Sequence, residues 1–236
     1  MIPHKLTLCL FLIFFAQGVG IAQRKPPAGG RIAVVVEARL AALRAAPQLN
    51  SKLVRRLGRG RMVAIRSAKS VDGVTFFLVN VTSRTHGWIQ REAVASPTRA
   101  GDDQRLMRLI EHSQGFDRIS RARIFLDHFT RSPLRPEVLL LLGDTAEALA
   151  AQLSTDASRR LRDNHGEAPE FTYYLNYTGL DRYNRQRVGF IFDHSTKRFH
   201  YDGASWRELI RRYPRSSAAG EARKRMALLY SQVRMN

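Results

Sequence analysis

Two hydrophobic periods divide this chain. Between residues 31 and 96 apolar side chains come in short alternating or continuous runs, many of them β-branched. Beyond Asp102 they recur at the spacing of one helix face. The first pattern predicts strands over 31–36, 53–57, 62–65, 74–81 and 86–90, with a single helical turn over 91–94. Gly58-Arg59-Gly60 and Asp72-Gly73 supply the turn chemistry between them. The second pattern predicts a helix capped by Asp102-Asp103, with Leu106, Leu109 and Ile110 on one face. Another is expected over 117–129. A third opens at Pro136, a first-turn proline, and runs to Leu153, apolar almost all round at 138–142 and therefore expected between neighbours. The fold class expected is a segregated α+β chain, with 97–101 as linker.

Five short strands in so small a unit suggest a compact barrel that removes its edges by closure. Gly87-Trp88-Ile89 ends the run: glycine lets the chain bend, and the indole is expected to cover the open end of the core. Leu43-Arg44 before a loop at Pro47, Gly60-x-x-Val63, the aromatic strand Phe76-Phe77-Leu78-Val79 and the terminal Gly87-Trp88-Ile89 occur in an order that resembles the bacterial SH3b domain. The resemblance covers 31–96. It departs from the family at Phe76-Phe77, where Trp-Tyr is frequent, so ring polar atoms are missing and both Phe read as core. The resemblance implies binding of peptidoglycan or its peptide stems. Candidate ligand contacts are Arg44, Arg59, Arg61, Arg84 and Trp88.

The helical region carries an internal echo. Phe125 to Ser132, followed by Glu137, is matched by Leu209 to Ser216, followed by Glu221, at a constant offset. Each copy reads as a helix ending at an aromatic (Phe129, Tyr213), a tight turn, and a second helix packed on the first. The Tyr-Pro-x-Ser turn resembles tetratricopeptide-type repeats of envelope assembly proteins. Two plain αα-hairpins fit the same spacing, which is no multiple of that repeat. Between the copies, 167–203 is crowded with aromatics. Residues 190–192 and 199–201 fit either a hairpin or the ends of two helices. Tyr173, Tyr177, Arg182 and Tyr183 are candidate contacts for a protein partner.

Composition narrows the function. Residues 1–22 have a basic start, an apolar run from Leu6 to Ala16 and small residues at Gly20 and Ala22, the pattern of a secretory signal peptide. Residues 23–30 read as a disordered lead-in. Cys9, the single cysteine, lies inside the leader, so disulfides, thiolate nucleophiles and Cys-ligated zinc are excluded from the processed chain. The formal net charge is +19, and 31–96 holds 12 Lys and Arg against 3 Asp and Glu. In an exported bacterial protein that excess points to envelope polyanions, peptidoglycan among them, and away from nucleic acid; a membrane would be reached only through an uncleaved leader.

No zinc-spaced histidine pair or phosphate loop is present, and no cofactor is expected. Asp193-His194-Ser195 are neighbours in sequence and cannot converge as a triad, and Gly203-Ala204-Ser205 lacks the closing glycine of a nucleophile elbow. The expectation is a non-enzymatic binding protein of the periplasm or cell envelope: a barrel on cell-wall material, helices on a protein partner. The alternative is a cell-wall hydrolase, or a regulator of one, using carboxylates such as Glu167, Glu170 or Asp202, for which two acids must face across a cleft.

Overall fold

The computed structural model describes residues 30–163 and 178–234. The leader, most of the lead-in, Tyr173, Tyr177, Glu167 and Glu170 lie outside the described residues. The chain is α+β, a sheet followed by helices.

The N-terminal half forms β1 (Arg31–Val35), β2 (Ala42–Arg44), β3 (Leu53–Arg56), β4 (Met62–Val71), β5 (Val74–Asn80), β6 (His86–Gln90) and β7 (Val94–Ala95). They make one antiparallel sheet in the order β3-β2-β6-β5-β4-β1-β7. At its centre is the β4–β5–β6 meander, whose first turn is Asp72-Gly73, both at positive φ. Alternation puts Phe77, Val79 and Ile89 on one face, where they pack with Leu43, Val63 and Val35. Phe76 is buried as well, so both Phe are interior.

The expected closure into a barrel is not there. The strand order has two ends, β3 and β7, that do not pair with each other. The β7 end is covered from outside instead: Val34, Val36 and Ala95 turn away from the sheet core and join the helical core. Among the described residues the β3 end is bonded only to β2.

The helices are α1 (Asp102–Glu111), α2 (Gly115–His128), α3 (Arg135–Asp163), a short α4 (Asp181–Asn184), α5 (Ala204–Arg212) and α6 (Ser217–Arg234). Strands β8 (Phe190–Asp193) and β9 (Arg198–Tyr201) form a hairpin, which settles the open reading of 190–201. Helix α3 is central and packs against α2, β9, α5 and α6. Two of its side chains satisfy backbone donors of β9: Ser154 Oγ accepts from Phe199 N–H at 2.8 Å and Glu147 from Tyr201 N–H at 2.8 Å. Among the described residues no helix is long and apolar enough to cross a membrane.

Both echo turns have the same backbone bonds. Phe129 N–H donates to Phe125 O and Tyr213 N–H to Leu209 O. Ser132 N–H donates to Phe129 O and Ser216 N–H to Tyr213 O. Phe129 is buried; Tyr213 is half-buried and its hydroxyl accepts from Arg135 Nε at 3.0 Å. The chain breaks between α5 and α6 at Pro214, as a residue without an N–H donor favours.

Residues 97–101, expected as a linker, form a bonded turn. Ser96 N–H donates to buried Asp102 at 2.8 Å, and Arg105 reaches Asp102 and Val94 O. Two more ties join sheet to helices: Arg59 holds Asp117 at 2.8 and 3.2 Å, and Arg121 holds Glu37 at 2.6 Å.

Candidate functional site

The residues best placed to meet a ligand lie on the sheet face turned away from its core. Trp88 on β6 stands opposite Leu78 on β5 and Arg44 on β2. Arg44 in turn stands opposite Leu53 on β3. Residues directly opposite in an antiparallel ladder share a face, so Leu53, Arg44, Trp88 and Leu78 form one row across four strands. Trp88, Arg44 and Leu78 are half-buried and Leu53 is exposed. A tryptophan and an arginine at paired positions, flanked by two leucines, offer an apolar platform with a positive charge on the same face.

Local sequence explains the row. A Cβ on Gly87 would lie 2.7 Å from Arg44 O and 2.9 Å from Leu43 Cγ. Only glycine lets β2 and β6 approach that closely, and the following residue is presented on the opposite face. Arg44 is steadied by a 2.7 Å bond from Nη1 to Ser51 O, while Ser51 Oγ accepts from Ala46 N–H at 2.9 Å. The loop between β2 and β3 is thus pinned to the row.

The structure brings Arg44 and Trp88 together and sends the other expected contacts elsewhere. Arg59 is committed to Asp117, whose carboxyl is held below its ordinary range by that hydrogen bond. Arg61 donates to Val81 O at 3.3 Å. Arg84 is exposed on the loop between β5 and β6. Trp88 does not seal the core as expected. Ile89, its neighbour, is fully buried, and the two must face opposite ways.

Of the partner contacts expected in the helical half, Tyr183 is fully buried. Its ring meets Phe116 and Phe190 edge-on at 5.5 and 5.4 Å, and its hydroxyl accepts from Arg182 at 2.7 Å. It is a core residue with no free edge. Arg182 is exposed, and its guanidinium lies over the rings of Tyr183 and Phe116.

Several other polar groups are tied into the fold. Asp193 accepts from Ser195 N–H at 2.9 Å, Ser195 Oγ at 2.8 Å and Thr196 Oγ1 at 2.6 Å. Those hydroxyl donors push its carboxyl well below the usual range and close the β8–β9 turn. Ser205 is buried, and its N–H donates to Tyr201 Oη at 2.7 Å. Asp202 accepts from Ala204 N–H at 2.8 Å, at the start of α5. A cleft of about 670 Å³ lies where sheet and helices meet, bordered by Glu37, His112, Asp117 and Arg121. Arg121 meets both Glu37, at 2.6 Å, and Asp117, at 3.6 Å, and also donates to Ser113 Oγ at 2.6 Å. Among the described residues no group of three or more His, Cys, Asp or Glu is arranged to hold a metal.

Leu53 and Leu78 were not among the sequence candidates. Their strands were legible, but their place in the row depends on register, which short apolar runs do not carry. Comparison with protein-family models, with curated proteins and with solved structures yields no match for this chain.

Proposed function

We propose that this is an exported, non-enzymatic binding protein whose sheet acts as an SH3b-like module on anionic cell-wall material. Its helices act as a tetratricopeptide-like surface for a protein partner. The carrying observation is the Leu53–Arg44–Trp88–Leu78 row, where half-buried Trp88 stands directly opposite Arg44. Sugar rings and short peptides present apolar faces to an indole, and peptidoglycan stems carry carboxylates for Arg44. The basic excess of 31–96 adds long-range attraction for the same polymer. For the helical half, support comes from two turns with matching backbone bonds, at Phe129 and at Tyr213. The leader pattern supports export.

The test is sedimentation of the processed chain with purified sacculi. Trp88→Ala, with its melting curve taken alongside, should weaken attachment roughly tenfold, as loss of an aromatic anchor does. Raising salt from about 0.15 M to 1 M, which shortens screening from about 8 Å to 3 Å, should weaken it further. A folded Trp88→Ala protein that sediments like the parent overturns the reading.

A further inference from the structure

The β3 end of the sheet offers a second kind of surface. Among the described residues, strand β3 pairs with β2 along one side and with no strand along the other. Leu57 donates its N–H toward β2, to Ala41 O at 2.9 Å, so by alternation the main-chain groups of Arg56 point outward. Val54 is the extra residue of a bulge: Leu43 stands opposite Arg55 and Arg44 opposite Leu53, which leaves Val54 without an opposite number.

An ordinary edge is short and charged, and this one is both. It is also apolar, which protection alone does not explain: Leu49, Leu53 and Val54 are 53, 44 and 49% exposed within six residues. The charge is of one sign. Lys52, Arg55 and Arg56 are exposed, none is ion-paired with a described residue, and no acidic residue occurs between Glu37 and Asp72. A second copy pairing edge to edge would bring Arg55 and Arg56 against their own like. A basic strand is repelled in the same way. An acidic strand is not.

We infer that the free edge of β3 takes an extended, acidic segment of a partner protein as an added strand. Main-chain bonds would form to the outward groups of β3, apolar side chains would rest on Leu53 and Val54, and carboxylates on the two faces of the added strand would meet Arg55 and Arg56, which as neighbours face opposite ways. This goes beyond the cell-wall reading: it shares Leu53 with the Trp88 row but rests on the main-chain edge, Arg55 and Arg56, which that row does not use, so each can fail without the other.

The test uses the processed full chain and a fluorescent peptide of Glu-Glu-Val-Val repeats, which carries carboxylates and apolar side chains on both faces of a strand, read by anisotropy. The Glu peptide should bind, and a Lys-for-Glu peptide should bind at least about tenfold more weakly. The paired Arg55→Glu and Arg56→Glu variant should reverse that preference; both sites are exposed, and unchanged melting shows the fold intact. A Glu peptide N-methylated at alternate residues should lose binding, because it cannot form the ladder. The Trp88→Ala protein should bind the Glu peptide like the parent. Equal binding of the N-methylated and plain peptides, no reversal in a folded charge variant, or no binding of the Glu peptide would each overturn the inference.

Discussion

Trp206 is the residue on which the helical core turns. It is 2% exposed, and a Cβ at Gly143 of α3 would lie 2.2 Å from its Nε1. Gly143→Ala should therefore cost about 1–3 kcal/mol through overpacking, read as a lower urea midpoint. Gly220 in α6 is the control, with nothing within 4 Å of its absent Cβ. Gly220→Ala should stabilise by about 0.5–1 kcal/mol, because alanine loses less backbone freedom in a helix. The pair separates crowding from helix propensity within one fold. The sequence marked Trp88 as the residue that seals a core, and the structure gives that place to Ile89 in the sheet and Trp206 among the helices. Alternation along Gly87-Trp88-Ile89 says that two neighbours face opposite ways. Which one faces in is decided by β2 and β5, the strands that flank them, and those are distant in sequence.

At the scale of elements the two periods were a good guide, and the errors have identifiable causes. Strands over 74–81 and 86–90 and helices opening at Asp102 and near Pro136 lie where the pattern puts them. Strand β4 runs on to Val71, past the expected end at Ile65, although Ser67 to Ser70 is exposed and mostly polar. That extension is held by backbone pairing with β5, which needs no apolar signal. Strand β2 was missed because Ala42-Leu43-Arg44 is too short to show a period. The echo turns also differ in the role of the serine. Ser216 Oγ accepts from Ala219 N–H at 3.2 Å and caps α6, whereas Ser132 Oγ donates to Asp103 at 2.8 Å and accepts from Leu134 N–H. Ser216→Ala should thus cost about 1 kcal/mol, the usual worth of an N-cap. Amide exchange should show the loss concentrated in the first turn of α6. Exchange unchanged at Ala218 and Ala219 would mean that the cap contributes nothing there.

For the whole molecule, sheet and helices should melt as one unit. Val34, Val36 and Ala95 of the sheet belong to the same apolar cluster as Leu106, Ile119 and Phe125, so the helical core cannot open without exposing part of the sheet. Calorimetry should show a single transition whose van't Hoff and calorimetric enthalpies agree; two resolved peaks would place the cluster's boundary elsewhere. Acid should loosen this union. Asp117 of α2 is held below its ordinary range first by the hydrogen bond from Arg59, with the positive charges of Arg59 and Arg121 acting the same way. A carboxyl lowered in the fold binds fewer protons folded than unfolded. Its contribution is therefore present above the unfolded value of about 3.9 and is lost as pH falls through the lower folded value. The side chain of Asp117 is 53% exposed, so water screens the pair and the effect is small at neutral pH and high salt. Asp117→Asn should lower the melting temperature slightly at pH near 7 and flatten its decline below about pH 4. At low pH the variant and the parent should converge. A variant whose melting temperature falls with acid as steeply as the parent's would show that the Arg59–Asp117 tie does not hold the two halves together, leaving the partly buried Glu37–Arg121 pair and the apolar cluster to do so.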